Sequence, residues 1–194
     1  MIWWIKARRV LPVLLPGTAA FTLIVAVAHD RAIELPGMLS AGGNRVFLMQ
    51  IMPLVITSVL AHCLAQRLVE AEAVAARNLR RLDALLVVAC VLTATLAGLV
   101  VGAVSGSDEA TAVGRNTVFL TGLMLLADAV YAKAATVAPV GWVFAIMFLG
   151  YADYHRPWPW ALTLHPPGNV PALALCLLVF LGGLVAQARV RRSV

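Results

Sequence analysis

The sequence predicts an all-α integral membrane protein: one transmembrane domain over residues 1–194, with six membrane-spanning helices and both termini in the cytoplasm. Three observations lead there. Hydrophobic residues make up 62% of the chain and charged residues 12%, where a soluble domain carries roughly a quarter charged. Six apolar runs reach or approach the ~20 residues that cross a bilayer, at 10–28, 46–65, 84–104, 117–135, 137–153 and 170–187. Each must be helical, because lipid offers no partner to backbone N–H and C=O groups. The basic residues then gather on alternate connections. Lys6, Arg8, Arg9, Arg67, Arg77, Arg80, Arg81, Lys133, Arg189, Arg191 and Arg192 fall on one side, against Arg31, Arg45, Arg115 and Arg156 on the other.

The first run follows a basic start and resembles a signal peptide, but it is too long for one and no small-residue cleavage site precedes His29. It is read as a span, bent at Pro12 and at Pro16 and Gly17. The second run carries Gln50, Pro53, Thr57, Ser58 and His62, with a kink expected at Pro53. In the third, Gly98, Gly102 and Gly106 form two overlapping GxxxG spacings, which suit close helix packing.

The fourth run holds Asp128, the only acid deep in a span. An ionised carboxylate there costs about 2.5–3.5 kcal/mol on insertion scales, so it must face protein or water, be paired, or be protonated. Thr117, Thr121, Met124, Tyr131 and Ala135 share its face, and three of them carry hydroxyls. Thr121, Asp128 and Tyr131, with Gln50 and Thr57 of the second run, are the candidate substrate path. The competing reading is structural hydrogen bonding.

The fifth run is the shortest. After it comes "YHRPWPWALTLHPPGN", too rich in proline to be one regular helix. Segment 154–169 either dips back into the outer leaflet or closes as a capped loop. Trp3 and Trp4 at one edge, and Tyr151, Tyr154, Trp158 and Trp160 at the other, suit the two interfaces.

One stretch is built for water: "QRLVEAEAVAARNLRRLD". Read as a helix over about 68–82, it puts Leu68, Ala71, Ala75, Leu79 and Leu82 on one face. Glu70 and Glu72 come early and Arg77, Arg80 and Arg81 late, the order that the helix dipole favours. It is either an anchor on anionic lipid or a docking surface for a cytoplasmic partner.

Several classes are excluded. The basic residues end apolar runs and form no aromatic-interleaved stripe, so the +6 charge is no nucleic-acid signature. Neither lysine follows a glycine, so no phosphate-binding loop of the G-x-x-x-x-G-K type exists. Hydrolase motifs, C-x-x-C and paired intramembrane carboxylates are missing, and no catalytic or metal-ligating residue is expected. Cys63, Cys90 and Cys176 sit in apolar runs as small hydrophobes. No internal repeat is evident. Arginine far outnumbers lysine, as in GC-rich bacteria, and the expected location is a bacterial inner membrane.

The runs "RNTVFLTGLMLLADAVYAKAATVAPVGWVFAIMFLG" and "WPWALTLHPPGNVPALALCLLVFLGGLVAQARVR" resemble small six-span permeases similar to the type-2 export permeases of ABC transporters. Carrying the likeness are Arg115 and Asn116, the run Leu120, Thr121, Gly122, Leu123, then Pro139, the tryptophan-rich loop, and His165 with Pro166. It covers about the last 80 residues; elsewhere it is one of topology only. The resemblance implies a dimer with a second copy or a homologous subunit, joined to cytoplasmic ATPase chains that hold ATP and Mg. It implies a coupling helix between spans two and three, here Glu70 to Leu82 and so including Glu72, Arg77, Leu79, Arg80 and Arg81. It also implies an interfacial helix near Trp3 to Arg9 and an external re-entrant segment at 154–169. Competing readings are a six-span substrate-capture subunit of a vitamin uptake transporter and an accessory membrane protein. The capture class usually carries A-x-x-x-A in the first span, whereas here Leu23 and Ile24 follow Ala19 and Ala20 at that spacing.

Overall fold

A computed structural model describes residues 10–28, 31–36, 43–65, 79–131, 133–153 and 156–189. A π-helical turn at Val10–Leu14 leads into α1 (Leu15–Ala28). An antiparallel hairpin, β1 (Ala32–Pro36) with β2 (Gly43–Phe47), runs in register from Ala32↔Phe47 to Pro36↔Gly43. After a 3₁₀ turn at Leu48–Gln50 come α2 (Pro53–Ala65), α3 (Leu79–Ser105), α4 (Asp108–Val130) and α5 (Ala134–Leu149). A small strand pair, β3 (Tyr151–Asp153) and β4 (Arg156–Pro157), a 3₁₀ turn at Leu162–Leu164 and α6 (Val170–Arg189) complete the order.

Four segments are long and apolar enough to cross a membrane: Leu48–Ala65, Arg81–Ser105, Asp108–Val130 and Val170–Arg189. Pro12–Ala28 and Ala134–Leu149 are apolar but shorter. The protein is therefore a helical, membrane-embedded bundle. Its centre is α4, which packs against α6, α3, α5 and α2. Along α4, 72% of the apolar window is buried, against 22% along α6.

Helix limits differ from the sequence reading, each time for a local reason. The second run enters as strand β2 and a 3₁₀ turn, and Pro53 opens α2 rather than kinking it. Proline suits a first helical position, where its missing N–H would have no partner anyway. The third helix starts at Leu79, ahead of the expected 84, so Leu79, Arg80 and Arg81 lie in its first turn. Glu70, Glu72, Arg77 and the N-terminal tryptophans lie outside the described residues.

The largest shift is in α4, expected over 117–135 and found at Asp108–Val130. Gly106 adopts φ 71°, which only glycine holds without strain, and turns the chain. Ser107 then caps α4, its hydroxyl accepting from the Ala110 N–H at 3.3 Å. Asp108 and Glu109 fill the first turn, where the helix dipole favours acids. Thus Gly106 makes the turn, while Gly98 and Gly102 pack. A Cβ at Gly98 would lie 2.7 Å from the Ala110 carbonyl oxygen, and one at Gly102 would collide with Thr111. Gly114 returns the contact: its Cβ would lie 2.8 Å from Thr95 Cγ2.

A second close approach joins α4 to α6. A Cβ on Gly122 would stand 2.6 Å from the Phe180 backbone, and one on Gly183 would stand 2.7 Å from the Gly122 carbonyl oxygen. Small residues let two backbones meet where lipid provides no hydrophobic drive between helices. Cys63, Cys90 and Cys176 are buried and free of disulfides.

Candidate functional site

Connectivity places the 106–107 turn, the β1–β2 hairpin and the 150–169 segment at one end of the bundle, here the upper end. The start of α3 and the ends of α4 and α6 lie at the lower end.

The upper site begins with two polar neighbours on the central helix. Arg115 is 5% exposed and Asn116 2%. So deep a guanidinium must be hydrogen-bonded, because burying an unsatisfied charge is costly. Its partners are backbone carbonyls some fifty residues ahead. Nη1 donates to Pro166 O at 2.8 Å, and Nη2 donates to His165 O at 2.6 Å and, more weakly, to Thr163 O at 3.5 Å. Asn116 Nδ2 donates to Thr163 O at 3.1 Å.

These bonds determine the path of the proline-rich segment. Asn116 is the ninth residue of α4. With 1.5 Å of rise per residue, the Thr163 carbonyl lies alongside the third turn of α4, about 12 Å down from its first residue. The segment leans on α5 too. Trp160 meets Trp142 edge-on at 5.8 Å, and Trp142 meets Phe119 of α4 at 4.8 Å. Ala161 and Thr163 are buried. Asn169 then caps α6, its Oδ1 accepting from the Ala172 N–H at 3.0 Å.

Between this returning segment and the start of α4 lies a cavity of about 280 Å³. Its polar walls are Gln50, Asp108, Glu109, Asn116, Thr163 and His165, and Tyr151 closes one side. Burial pushes the Tyr151 phenol above its ordinary pKa, and a hydrogen bond from Gln50 partly offsets that rise. With its amide so engaged, Gln50 Oε1 is buried without a partner, as is Thr163 Oγ1. Among the described residues no group of three metal-ligating side chains converges.

The structure does not bring the five expected path residues together. Gln50 lines the upper cavity. Thr57 lies in α2, its hydroxyl donating to the Pro53 and Leu54 carbonyls at 3.1 Å, which satisfies it within its own helix. Thr117 is satisfied likewise on Val113 O. Thr121 is fully buried mid-helix with its hydroxyl unpartnered. Asp128 is half-buried in the last turn of α4 and Tyr131, beyond it, is exposed. Twelve residues separate Asn116 from Asp128, about 18 Å along the helix axis. Arg81 is exposed at the start of α3, at the lower end.

The acids of the cavity fall between the expected spans 84–104 and 117–135, where a search for apolar runs passes over them. The signal was present: glycine, then serine, then two acids is a helix start. Thr163 carried no such signal, since nothing local says that its backbone will be clasped from α4. Comparison with protein-family models, curated proteins and solved structures returns no match, so the fold and this site stand on the chain's own geometry.

Proposed function

We propose that the chain is the permease subunit of an ATP-driven transporter, an exporter of the type-2 class it resembles. In this reading it crosses a bacterial inner membrane six times with both termini inside, and it works with a second copy or a homologous subunit. Separate cytoplasmic ATPase chains hold ATP and Mg.

One observation supports this reading above the others. Segment 156–169 does not simply join α5 to α6. It folds back against α4 and α5 and is held there by Arg115 and Asn116. A non-helical segment at that depth is tolerated only where it is buried in protein or lines a wet cavity, and the resemblance implies such a re-entrant element at this point. The sequence adds that energy must come from elsewhere, since no phosphate-binding loop is present. Arg81, exposed at the start of α3, lies at the opposite end, where a motor would dock in this reading.

Purification in mild detergent tests the proposal. An ATPase chain should copurify, two motors to two permeases. The triple change Arg77→Glu, Arg80→Glu, Arg81→Glu should release the motor and leave the thermal unfolding of the bundle in place. A chain that purifies alone, in a membrane where every candidate ATPase has been expressed with it, overturns the reading.

The upper cavity favours a second reading, a capture subunit of an uptake transporter. Its signature would be tight vitamin binding by the isolated monomer, with a dissociation constant well below ~1 μM.

A further inference from the structure

We propose that the returning segment 156–169 is a pH-governed cover on the upper cavity, drawn shut when His165 takes up a proton opposite the carboxylates of Asp108 and Glu109. The device lies within one chain. It goes beyond the permease reading and needs neither a motor nor a second copy.

His165 is where the clasp and the cavity meet. Its carbonyl takes the shortest of the Arg115 bonds, 2.6 Å from Nη2, and the residue is half-buried and lines the cavity. Asp108 and Glu109, in the first turn of α4, line the same space. Two elements some fifty residues apart thus bring one imidazole and two carboxylates to a single cavity. Among the described residues the imidazole and the Asp108 carboxylate make no hydrogen bond or ion pair. Glu109 has only the Ser107 Oγ at 3.4 Å, too long to be more than a weak bond. The three groups therefore stand unpaired, the arrangement expected around a neutral imidazole.

The other charges nearby do not cancel the acids. Arg115 repels an imidazolium, but its Nη1 and Nη2 are committed to the Pro166 and His165 carbonyls. Arg156, on β4, is exposed and does not line the cavity. Tyr151 does line it, and with its phenol pushed up by burial it stays neutral wherever a histidine titrates. On α6 the titratable neighbour of Arg115 is Cys176, which is buried and outside the cavity wall. Charging His165 therefore adds an attraction that the neutral ring lacks.

The sign follows from linkage. Histidine changes charge between about pH 5 and 8. The shut form, with the acids beside the ring, holds the proton more tightly than an open form. Acid therefore favours closure, and closure is lost as pH rises through that range. The chain has room to respond: nothing lies within 4 Å of a Cβ placed on Gly168, so the segment can turn there without displacing a packed neighbour.

Amide exchange in the full chain in detergent tests the device, read as protection relative to the unfolded chain at the same pH. The amides of Ala161, Leu162 and Leu164 donate to the Trp158, Trp160 and Ala161 carbonyls and report opening of the segment. Their protection should be at least threefold greater near pH ~5.5 than near pH ~8, the scale of a partly exposed ion pair. His165→Gln should remove that difference, and so should the double change Asp108→Asn, Glu109→Gln. His165→Lys keeps its charge throughout and should hold the acid-side protection at both pH values. No difference in the wild-type chain, one of opposite sign, or one that survives His165→Gln each overturns the proposal. Should the double variant unfold, the two histidine variants decide: equal protection near pH ~8 in His165→Lys and His165→Gln rejects the device. Failure of an ATPase to copurify would bear on the permease reading and leave this result untouched.

Discussion

Helices α4 and α6 cross the same bundle side by side, yet they solve opposite problems. Helix α6 is nearly pure hydrocarbon, and its Leu175, Leu177, Leu178, Leu181 and Val185 are exposed. Helix α4 is the least apolar of the four long segments and the most buried. It carries Arg115, Asn116, Thr117 and Thr121 in its buried set. In water the order would be reversed. In lipid, apolar side chains gain nothing by leaving the solvent, whereas polar ones must find partners inside. What draws a helix to the centre here is its polarity.

Four experiments break or sharpen that contrast. The largest effect should come from Arg115→Met. It removes two charged hydrogen bonds worth about 1.5–3 kcal/mol each and leaves the His165 and Pro166 carbonyls unpaired. Thermal unfolding in detergent should fall by many degrees, and protease should cut within 156–169. An unchanged melting curve would mean that the clasp holds nothing.

Next comes Gly122→Ala. Its new Cβ would sit 2.6 Å from the Phe180 backbone, so α4 and α6 must part, at about 1–3 kcal/mol. Gly182→Ala is the matched control: nothing lies within 4 Å of its Cβ, and unfolding should shift by less than about 0.5 kcal/mol. Equal effects from the two glycines would show that backbone contact does not hold the pair together. Leu178→Ala, on the lipid face of α6, should likewise be nearly silent; a loss as large as a core truncation, about 2–5 kcal/mol, would place that face against protein.

Ser107→Ala removes the cap on α4 and should cost about 1 kcal/mol, with fraying read as faster amide exchange over the first turn. The smallest effect concerns pH. Burial raises the Tyr151 phenol above its ordinary value. The unfolded chain therefore ionises first, so stability is fully present below the unfolded value of about 10 and declines as pH rises through the folded one. Tyr151→Phe should flatten that alkaline limb; an identical limb in the variant would assign it to other groups.

How much of this could be read from the residues alone varies from place to place. The membrane class and the approximate positions of the apolar runs follow from composition and length, because hydrocarbon admits only internally bonded backbone. That Gly98 and Gly102 pack was readable from spacing. That Gly106 instead turns the chain was hidden inside the same spacing, since period says nothing of φ. The hydroxyls of Thr57, read as part of the substrate path, and of Thr117, read on the face of Asp128, bond back to their own helices.

The sequence by itself determined that this chain enters a membrane and where its apolar segments lie. These depend on local composition and spacing. Only the tertiary structure decided that Arg115 would clasp a segment some fifty residues ahead, that Gly122 would seat Phe180, and that Asp108, Gln50 and Thr163 would share one cavity. Those meetings depend on how the helices lie across one another, and no local pattern encodes a contact between residues so distant in sequence.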